Sequence, residues 1–143
     1  QDVENAVRIL KKHKIPIVGF FMFGLPGETE ETMADTIRFA KKLDLDYYSI
    51  SMTTPYPGSA LYEKIKSGEG ALLTKTPEDL FSLGSRCKYT MPGMAKPQII
   101  EGAYRRARIK LLLRPKMIIK TALANPKRLI RGARVAYKWL LKT

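Results

Sequence analysis

Two short loops carry the residue types from which a binding site could be built. One loop is Gly24-Leu-Pro-Gly-Glu28, which follows the apolar run Ile17–Phe23. Its glycines permit positive φ angles and let another group approach the main chain closely. A glycine turn before a helix often binds phosphate, but here Glu28, Glu30 and Glu31 stand where the anion would lie. The loop therefore favours a neutral, flat group such as a nucleobase, held by main-chain amides and carbonyls, or it is a turn that needs glycine for geometry alone.

The second loop resembles the first because it is also rich in proline and glycine and also follows an apolar segment. It reads Thr53-Thr-Pro-Tyr-Pro-Gly-Ser59 and ends the alternating segment Tyr47–Thr53. Two prolines restrict its main chain, and Ser59 is a good N-cap for a short helix that ends near Ile65. Two successive rigid loops after two apolar segments are a more specific signal than either loop alone.

The segments around these loops alternate between helix and strand. Residues 2–13 have helical spacing, and Ile17–Phe23 is a short apolar run whose two apolar faces predict a central parallel strand. Thr29 predicts the N-cap of a helix with Met33, Ile37, Ala40 and Leu43 on one face. This order is typical of a parallel α/β sheet or barrel, in which sites lie at the carboxyl ends of the strands.

The strand Tyr47–Thr53 separates apolar from hydroxyl side chains. Tyr48, Ile50 and Met52 point one way, and Ser49, Ser51 and Thr53 point the other. A buried hydroxyl row is costly without partners, so the pattern indicates either an interior that holds a polar ligand or an edge strand with one solvated face.

The combined order of these elements resembles the later part of the radical S-adenosylmethionine (SAM) enzymes. The resemblance covers residues 1–92 and is carried by Gly24-Leu-Pro-Gly-Glu-Thr29 and by Thr54-Pro-Tyr-Pro-Gly-Ser-x-Leu-Tyr62. It implies the C-terminal portion of a partial (β/α) TIM-like barrel of parallel strands, with an iron–sulfur cluster and S-adenosylmethionine at the strand ends. In that family, reductive cleavage of S-adenosylmethionine gives a 5′-deoxyadenosyl radical. The closest branch often has a cobalamin-binding domain ahead of the barrel, which leaves cobalamin open as a further cofactor.

The resemblance also implies which residues lie against the cofactor. Phe23, Gly24 and Leu25 match the late-strand motif beside the adenine, and the segment from Met52 to Pro55 matches the next strand end. The predicted cofactor-binding residues are Phe23, Gly24, Leu25, Ser51, Thr53, Thr54 and Pro55.

Two features depart from the family pattern. Glu28 stands one position later than the family's glutamate, so a role at the start of the helix is as well supported as a ligand contact. The three-cysteine CxxxCxxC motif is absent, and the sequence has a single cysteine, Cys87. The resemblance therefore implies that the ligands of the 4Fe-4S cluster, like the upstream half of the barrel, lie outside these 143 residues. It also implies that this portion alone is inactive, and we predict no catalytic or metal-ligating residue within it.

Charge divides the chain at about residue 85. The first 85 residues carry ten Lys/Arg and twelve Asp/Glu, whereas residues 86–143 carry sixteen Lys/Arg and one acid. Helical patterns over Lys96–Arg114, Lys116–Ala124 and from Asn125 onward predict an all-helical basic extension, residues 93–143. The last helix separates a cationic face from an aliphatic one, with Trp139 near the boundary, which is typical of a helix on an anionic membrane. A helix with its basic face in water and a nucleic-acid contact are the alternatives.

Other residues suggest chemistry less strongly. His13 is expected to be a helix-end surface residue. Cys87 lies between two cations that could lower its pKa, although an inert structural thiol is favoured. Tyr47, Tyr48 and Tyr56 either line a cavity or fill the core.

We therefore expect an enzyme that acts on a small-molecule or lipid-like substrate, either free in the cytoplasm or against the membrane surface. The alternatives are a radical SAM enzyme that modifies RNA and a non-catalytic basic module that binds membrane or nucleic acid.

Overall fold

The chain begins with the helix–strand–helix–strand order that the sequence predicts. A computed structural model describes residues 2–81, 86–115, 118, 119 and 123. Helix α1 spans Asp2–Lys12, strand β1 Val18–Phe23, helix α2 Glu30–Leu43 and strand β2 Tyr47–Met52. These bounds confirm the predicted α/β alternation.

Local hydrogen bonds fix both ends of α2. Thr29 is the N-cap: its side chain accepts from the main-chain N–H of Thr32, and the side chain of Thr32 accepts in return from the N–H of Thr29. This capping box satisfies two amides that the first turn of a helix leaves without partners. At the other end Asp44 adopts a left-handed conformation with φ 46°, and it turns the chain into β2.

Strands β1 and β2 pair in parallel, with Val18 opposite Tyr47 and Phe23 opposite Met52. Both strands therefore end at the same edge of the sheet. This two-stranded parallel sheet establishes the α/β class, whereas closure into a barrel stays a proposal.

One face of the sheet packs on helices α2 and α4, the latter spanning Pro97–Leu112. The predicted apolar stripe of α2 is buried, as is the inner side of α4, so the first of the basic helices shares a core with the sheet. The predicted division at residue 92 is not tested and stays a prediction. The buried core comprises Val7, Phe23, Met33, Ile37, Ala40, Leu43, Leu45, Tyr48, Cys87, Ile100, Ala103, Tyr104, Ala107 and Leu111.

The opposite face of the sheet is open within the described part of the chain. Val18, Phe20 and Met22 are exposed there, Phe20 to 82%. The expectation that both faces of β1 are covered is therefore not met, because the described helices pack on one face only. In the parallel register Phe20 lies opposite Ser49 and Met22 opposite Ser51, so this face mixes large apolar and hydroxyl side chains.

A smaller unit follows β2. Helix α3 spans Ala60–Lys64, with the predicted N-cap Ser59, and continues into one π-helical turn, Ile65–Glu69. Strand β3, Ala71–Leu72, pairs antiparallel with strand β4, Tyr89–Thr90. A 3₁₀ helix, Pro77–Phe81, lies between the two strands.

Most residues of the predicted helices beyond Pro115, including the whole of the last helix with its cationic face and Trp139, lie outside the described residues. Within the described part of the chain, no helix has both the length and the apolar character needed to span a bilayer.

Candidate functional site

The two predicted loops meet at the carboxyl edge of the parallel sheet. The main-chain N–H of Thr53 donates to the carbonyl oxygen of Phe23 at 2.8 Å, which extends the β1–β2 pairing one step past the strands. We call residues 23–28 and 52–55 the strand-end rim. Because its two halves are hydrogen-bonded neighbours, a single small ligand could contact both.

Gly24 is the tightest point of the rim. It is buried with φ +82°, a conformation that favours glycine. A Cβ atom at this position would lie 3.1 Å from Cγ2 of Ile100 on α4. The glycine is therefore needed both for the turn and for close packing of α4 against the sheet end.

The carboxylate of Glu28 folds back onto the start of its own loop. Its Oε2 atom accepts from the N–H of Gly24 at 2.6 Å and from the N–H of Leu25 at 3.0 Å. Both of these amides, which were expected to hold a nucleobase, are thus bound within the chain.

Main-chain contacts hold Glu28 in this position. Its N–H donates to the carbonyl of Leu25 at 3.1 Å, closing a turn whose central residues are Pro26 and Gly27, the latter with φ +79°. Its carbonyl accepts from the N–H of Ala95 at 2.8 Å. Glu28 lies one residue before the N-cap Thr29, and its carboxylate closes the loop and makes no capping contact with the first turn of α2.

A third segment reaches the rim from far along the chain. The hydroxyl of Tyr89 on β4 donates to the carbonyl oxygen of Gly24 at 2.6 Å. Tyr89 is fully buried, and burial raises the pKa of its phenol, so it remains a donor at physiological pH. No signal in the sequence singled out this residue.

Thr53 carries the one orphaned hydroxyl of the described residues. The residue is only 6% exposed, and its buried Oγ1 atom has no hydrogen-bond partner. A buried hydroxyl without a partner costs about 1–3 kcal/mol. Such a group is rare in folded proteins, and a ligand that pairs with it would recover that cost.

The other predicted cofactor-binding residues are distributed around Thr53. Phe23 and Pro55 are buried, whereas Leu25 and Ser51 are exposed. Thr54 is half-buried, and its hydroxyl lies 3.5 Å from the carbonyl of Met52, a long contact. The fold thus brings all seven residues to one edge of the sheet, with Ser51 on the open face, and their binding role stays a prediction.

Cys87 is a buried thiol and is not activated by its cationic neighbours in the sequence. It is buried, its thiol donates to the carbonyl of Tyr89 at 3.1 Å, and burial raises its pKa. The ammonium group of Lys88 instead donates to the carbonyl of Asp79. Glu101 accepts from the N–H of Cys87 at 2.9 Å, and its charge raises the thiol pKa further. The favoured interpretation, a structural thiol, agrees with these contacts.

The three tyrosines that could either line a cavity or fill the core lie in different environments. Tyr48 fills the core, where its hydroxyl accepts from the N–H of Leu45 at 2.9 Å. Tyr47 and Tyr56 are exposed, as is His13 at the end of α1. Across the described residues, no group of three or more His, Cys, Asp or Glu side chains could hold a metal ion.

Comparison with known proteins finds relatives, each of which this chain matches over only part of the relative's length. The chain is 37% identical to an uncharacterized methyltransferase of Pyrococcus horikoshii, in an alignment 143 residues long that includes 96% of this chain. It is 35% identical over 66 residues, 46% of its length, to the bacteriochlorophyllide d C-12(1)-methyltransferase of Chlorobaculum tepidum. It is 33% identical over 63 residues, 44% of its length, to an anaerobic magnesium-protoporphyrin IX monomethyl ester cyclase of Cereibacter sphaeroides.

These matches cover 30%, 14% and 10% of the respective relatives. No protein-family model matches the chain. The chain is thus similar to part of several proteins named as methyltransferases or cyclases, and this similarity associates it with enzymes.

Proposed function

We propose that this chain is the later portion of a radical S-adenosylmethionine enzyme and that its strand-end rim holds the adenosine part of S-adenosylmethionine. The observation that carries the proposal is the hydrogen bond from Thr53 to Phe23, which joins the two loops at one edge of a parallel sheet. Sites in parallel α/β folds lie at this edge. The similarity to named methyltransferases and cyclases supports the same class.

The residues of the rim suit a neutral nucleoside. Of the seven predicted contacts, six belong to the rim and none is charged, and the hydroxyl of Thr53 is buried without a partner. Because Glu28 occupies the amides of Gly24 and Leu25, the nucleoside would be held by the hydroxyl of Thr53 and by apolar contacts. In this proposal the amides of Gly24 and Leu25 shape the rim rather than bind the ligand.

An iron–sulfur cluster does not fit the residues of this chain. Cys87 is the one cysteine in the sequence, and it is buried and hydrogen-bonded. Cluster ligands would have to come from the remainder of a longer polypeptide, so we derive no step through the cluster here. When bound, S-adenosylmethionine and the cluster supply the radical that abstracts hydrogen from the substrate. The part of this chain is to position the adenosine and to exclude water from it.

The open face of the sheet supports an upstream partner within the same polypeptide. Large exposed apolar side chains such as Phe20 and Met22 are costly in water. We propose that preceding strands of a barrel cover this face and pair with the free edge of β1. The face would then line the barrel interior, where Ser49 and Ser51 suit a polar ligand.

The names of the relatives suggest the class of reaction. They describe methyl transfer to bacteriochlorophyllide and ring closure on a magnesium-protoporphyrin ester. We propose a related reaction on a poorly water-soluble substrate, with cobalamin as a further cofactor if methyl transfer is the reaction. Cytoplasmic placement, with the basic extension against an anionic membrane, belongs to the same proposal.

The direct test uses the full-length polypeptide that contains this chain. The protein is reconstituted anaerobically with iron and sulfide, reduced, and given S-adenosylmethionine, and 5′-deoxyadenosine is quantified by liquid chromatography. Formation of 5′-deoxyadenosine that depends on both iron and reductant is the expected result. A reconstituted protein that neither binds S-adenosylmethionine nor forms 5′-deoxyadenosine would favour the non-catalytic binding module.

A further inference from the structure

Two exposed aromatic rings lie against each other beside the strand-end rim. The ring centroids of Tyr56 and Phe81 are 5.3 Å apart, with the ring planes inclined by 36°. Tyr56 is 47% exposed and Phe81 63% exposed. We call this pair the aromatic shelf.

Each of the two rings directly follows a buried residue in the sequence. Tyr56 directly follows Pro55, and Phe81 directly follows Leu80, two of the most deeply buried side chains among the described residues. The carbonyl of Tyr56 also accepts from the N–H of Ser59 at 3.0 Å and from its hydroxyl at 2.7 Å. Both exposed rings therefore extend from main-chain segments that are anchored beside buried residues, and an anchored segment loses less entropy than a mobile one when it binds a ligand.

The shelf belongs to the same edge of the sheet as the rim. Tyr56 lies three residues beyond Thr53, in the loop that leaves β2, and its N–H donates to the carbonyl of Thr54 at 3.0 Å. The buried hydroxyl of Thr53, which the proposed function assigns to the adenosine, places a ligand at this same edge. An apolar surface and an unsatisfied polar group thus occur on one short loop.

We propose that the aromatic shelf binds a flat, conjugated part of the substrate. Aromatic rings prefer offset or edge-to-face contact with another ring, which a pair of exposed, inclined rings can provide. Two side chains form too small a surface for a stable protein–protein interface, which usually involves about 20–30 residues on each side. A small planar molecule therefore fits the shelf better than a protein does. This inference rests on the proposed function, because it places the substrate beside the adenosine.

A fluorescent planar probe tests the shelf. Binding of 1-pyrenebutyrate to the full-length, cluster-reconstituted protein is measured by fluorescence, and decanoate is tested as an aliphatic competitor. Tyr56→Ala and Phe81→Ala are each expected to raise the Kd of the pyrene about tenfold, whereas Tyr56→Phe retains binding because it retains the ring. Phe39→Ala removes an aromatic ring exposed on α2, and it should leave binding unchanged. If either alanine variant fails to fold, Tyr56→Leu or Phe81→Leu replaces it and predicts the same loss.

The outcomes separate this inference from the proposed function. Unchanged pyrene affinity in both shelf variants, an equal loss in Phe39→Ala, or equally strong competition by decanoate would overturn the shelf. The Kd for S-adenosylmethionine is measured on the same proteins and is expected to stay within about twofold of the wild-type value. Loss of pyrene binding in the shelf variants, from a protein that never binds S-adenosylmethionine, would support the shelf while refuting the radical SAM proposal.

Discussion

The hydroxyl of Tyr89 donates a 2.6 Å hydrogen bond to the carbonyl oxygen of Gly24, joining positions 65 residues apart. Gly24 thereby has both main-chain groups bound within the chain, since its N–H donates to Glu28. The short strand β4 thus supports the predicted cofactor loop from a distance. The next two predictions follow from these two contacts.

Tyr89→Phe keeps the buried ring and removes its hydroxyl. The carbonyl of Gly24 then loses a buried donor, and we expect the free energy of unfolding to fall by about 1–2 kcal/mol. Urea unfolding of the full-length polypeptide measures the loss, and hydrogen exchange over residues 23–28 should become faster. Tyr62→Phe, on α3, is the control and should change neither value. Unchanged exchange over residues 23–28 in Tyr89→Phe would show that this hydrogen bond does not support the loop.

Glu28→Gln removes the charge that accepts from two amides. A hydrogen bond to a charged group contributes about 1.5–3 kcal/mol, so the variant should lose about that much stability, with faster exchange at Gly24 and Leu25. Glu31→Gln changes an exposed carboxylate in the first turn of the same helix and is the control for a general helix-dipole effect. Equal losses in both variants would mean that the dipole, not the amide contacts, accounts for the role of Glu28.

Gly24→Ala and Gly27→Ala separate backbone strain from packing. Both glycines have positive φ, 82° and 79°, so alanine is strained at each by about 1–2 kcal/mol. At Gly24 the new Cβ also approaches Ile100 to 3.1 Å, whereas nothing lies within 4 Å of the one at Gly27. Thermal unfolding should therefore show a clearly larger loss for Gly24→Ala. Equal losses would show that α4 moves aside at little cost.

Cys87 should react slowly, and its reactivity should depend on pH. Because burial raises its pKa above the ordinary thiol value, the folded protein keeps the proton that an unfolded thiol releases. The contribution of the protonated thiol to the stability of the fold is complete at neutral pH. It declines as the pH rises above the pKa of the unfolded thiol, about 8.5. Iodoacetamide labelling of Cys87 at pH 8, followed by peptide mass spectrometry, should be at least about tenfold slower in the folded than in the urea-unfolded protein. Comparable rates would restore the hypothesis of an activated thiol.

Local patterns in the sequence predicted much of the fold. The N-cap Thr29 and the stripe from Met33 to Leu43 depend on contacts within a few residues, and both are confirmed. The joint position of the two loops followed from a general property of parallel strands, and the hydrogen bond from Thr53 to Phe23 confirms it.

The features that the sequence did not reveal depend on distant or competing contacts. The bond from Tyr89 to Gly24 spans 65 residues, so no spacing rule reaches it. Cys87 has cationic neighbours in sequence, but burial raises the pKa of its thiol, and the ammonium group of Lys88 donates to the carbonyl of Asp79. The apolar residues of β1 indicated that both faces of the strand are covered, yet the helices of the described part of the chain pack against one face.

The hydroxyl of Thr53 tests the central claim, that the strand-end rim binds the adenosine of S-adenosylmethionine. Thr53→Val preserves the shape of the side chain and removes a hydroxyl that is buried without a partner. Titration of the full-length, reconstituted protein with S-adenosylmethionine, by isothermal calorimetry, compares the wild type with this variant. We predict that Thr53→Val is as stable as the wild type, or up to about 1 kcal/mol more stable, and that it binds S-adenosylmethionine about tenfold more weakly. Equal affinity in the two proteins, or no binding by the wild type, would contradict the account.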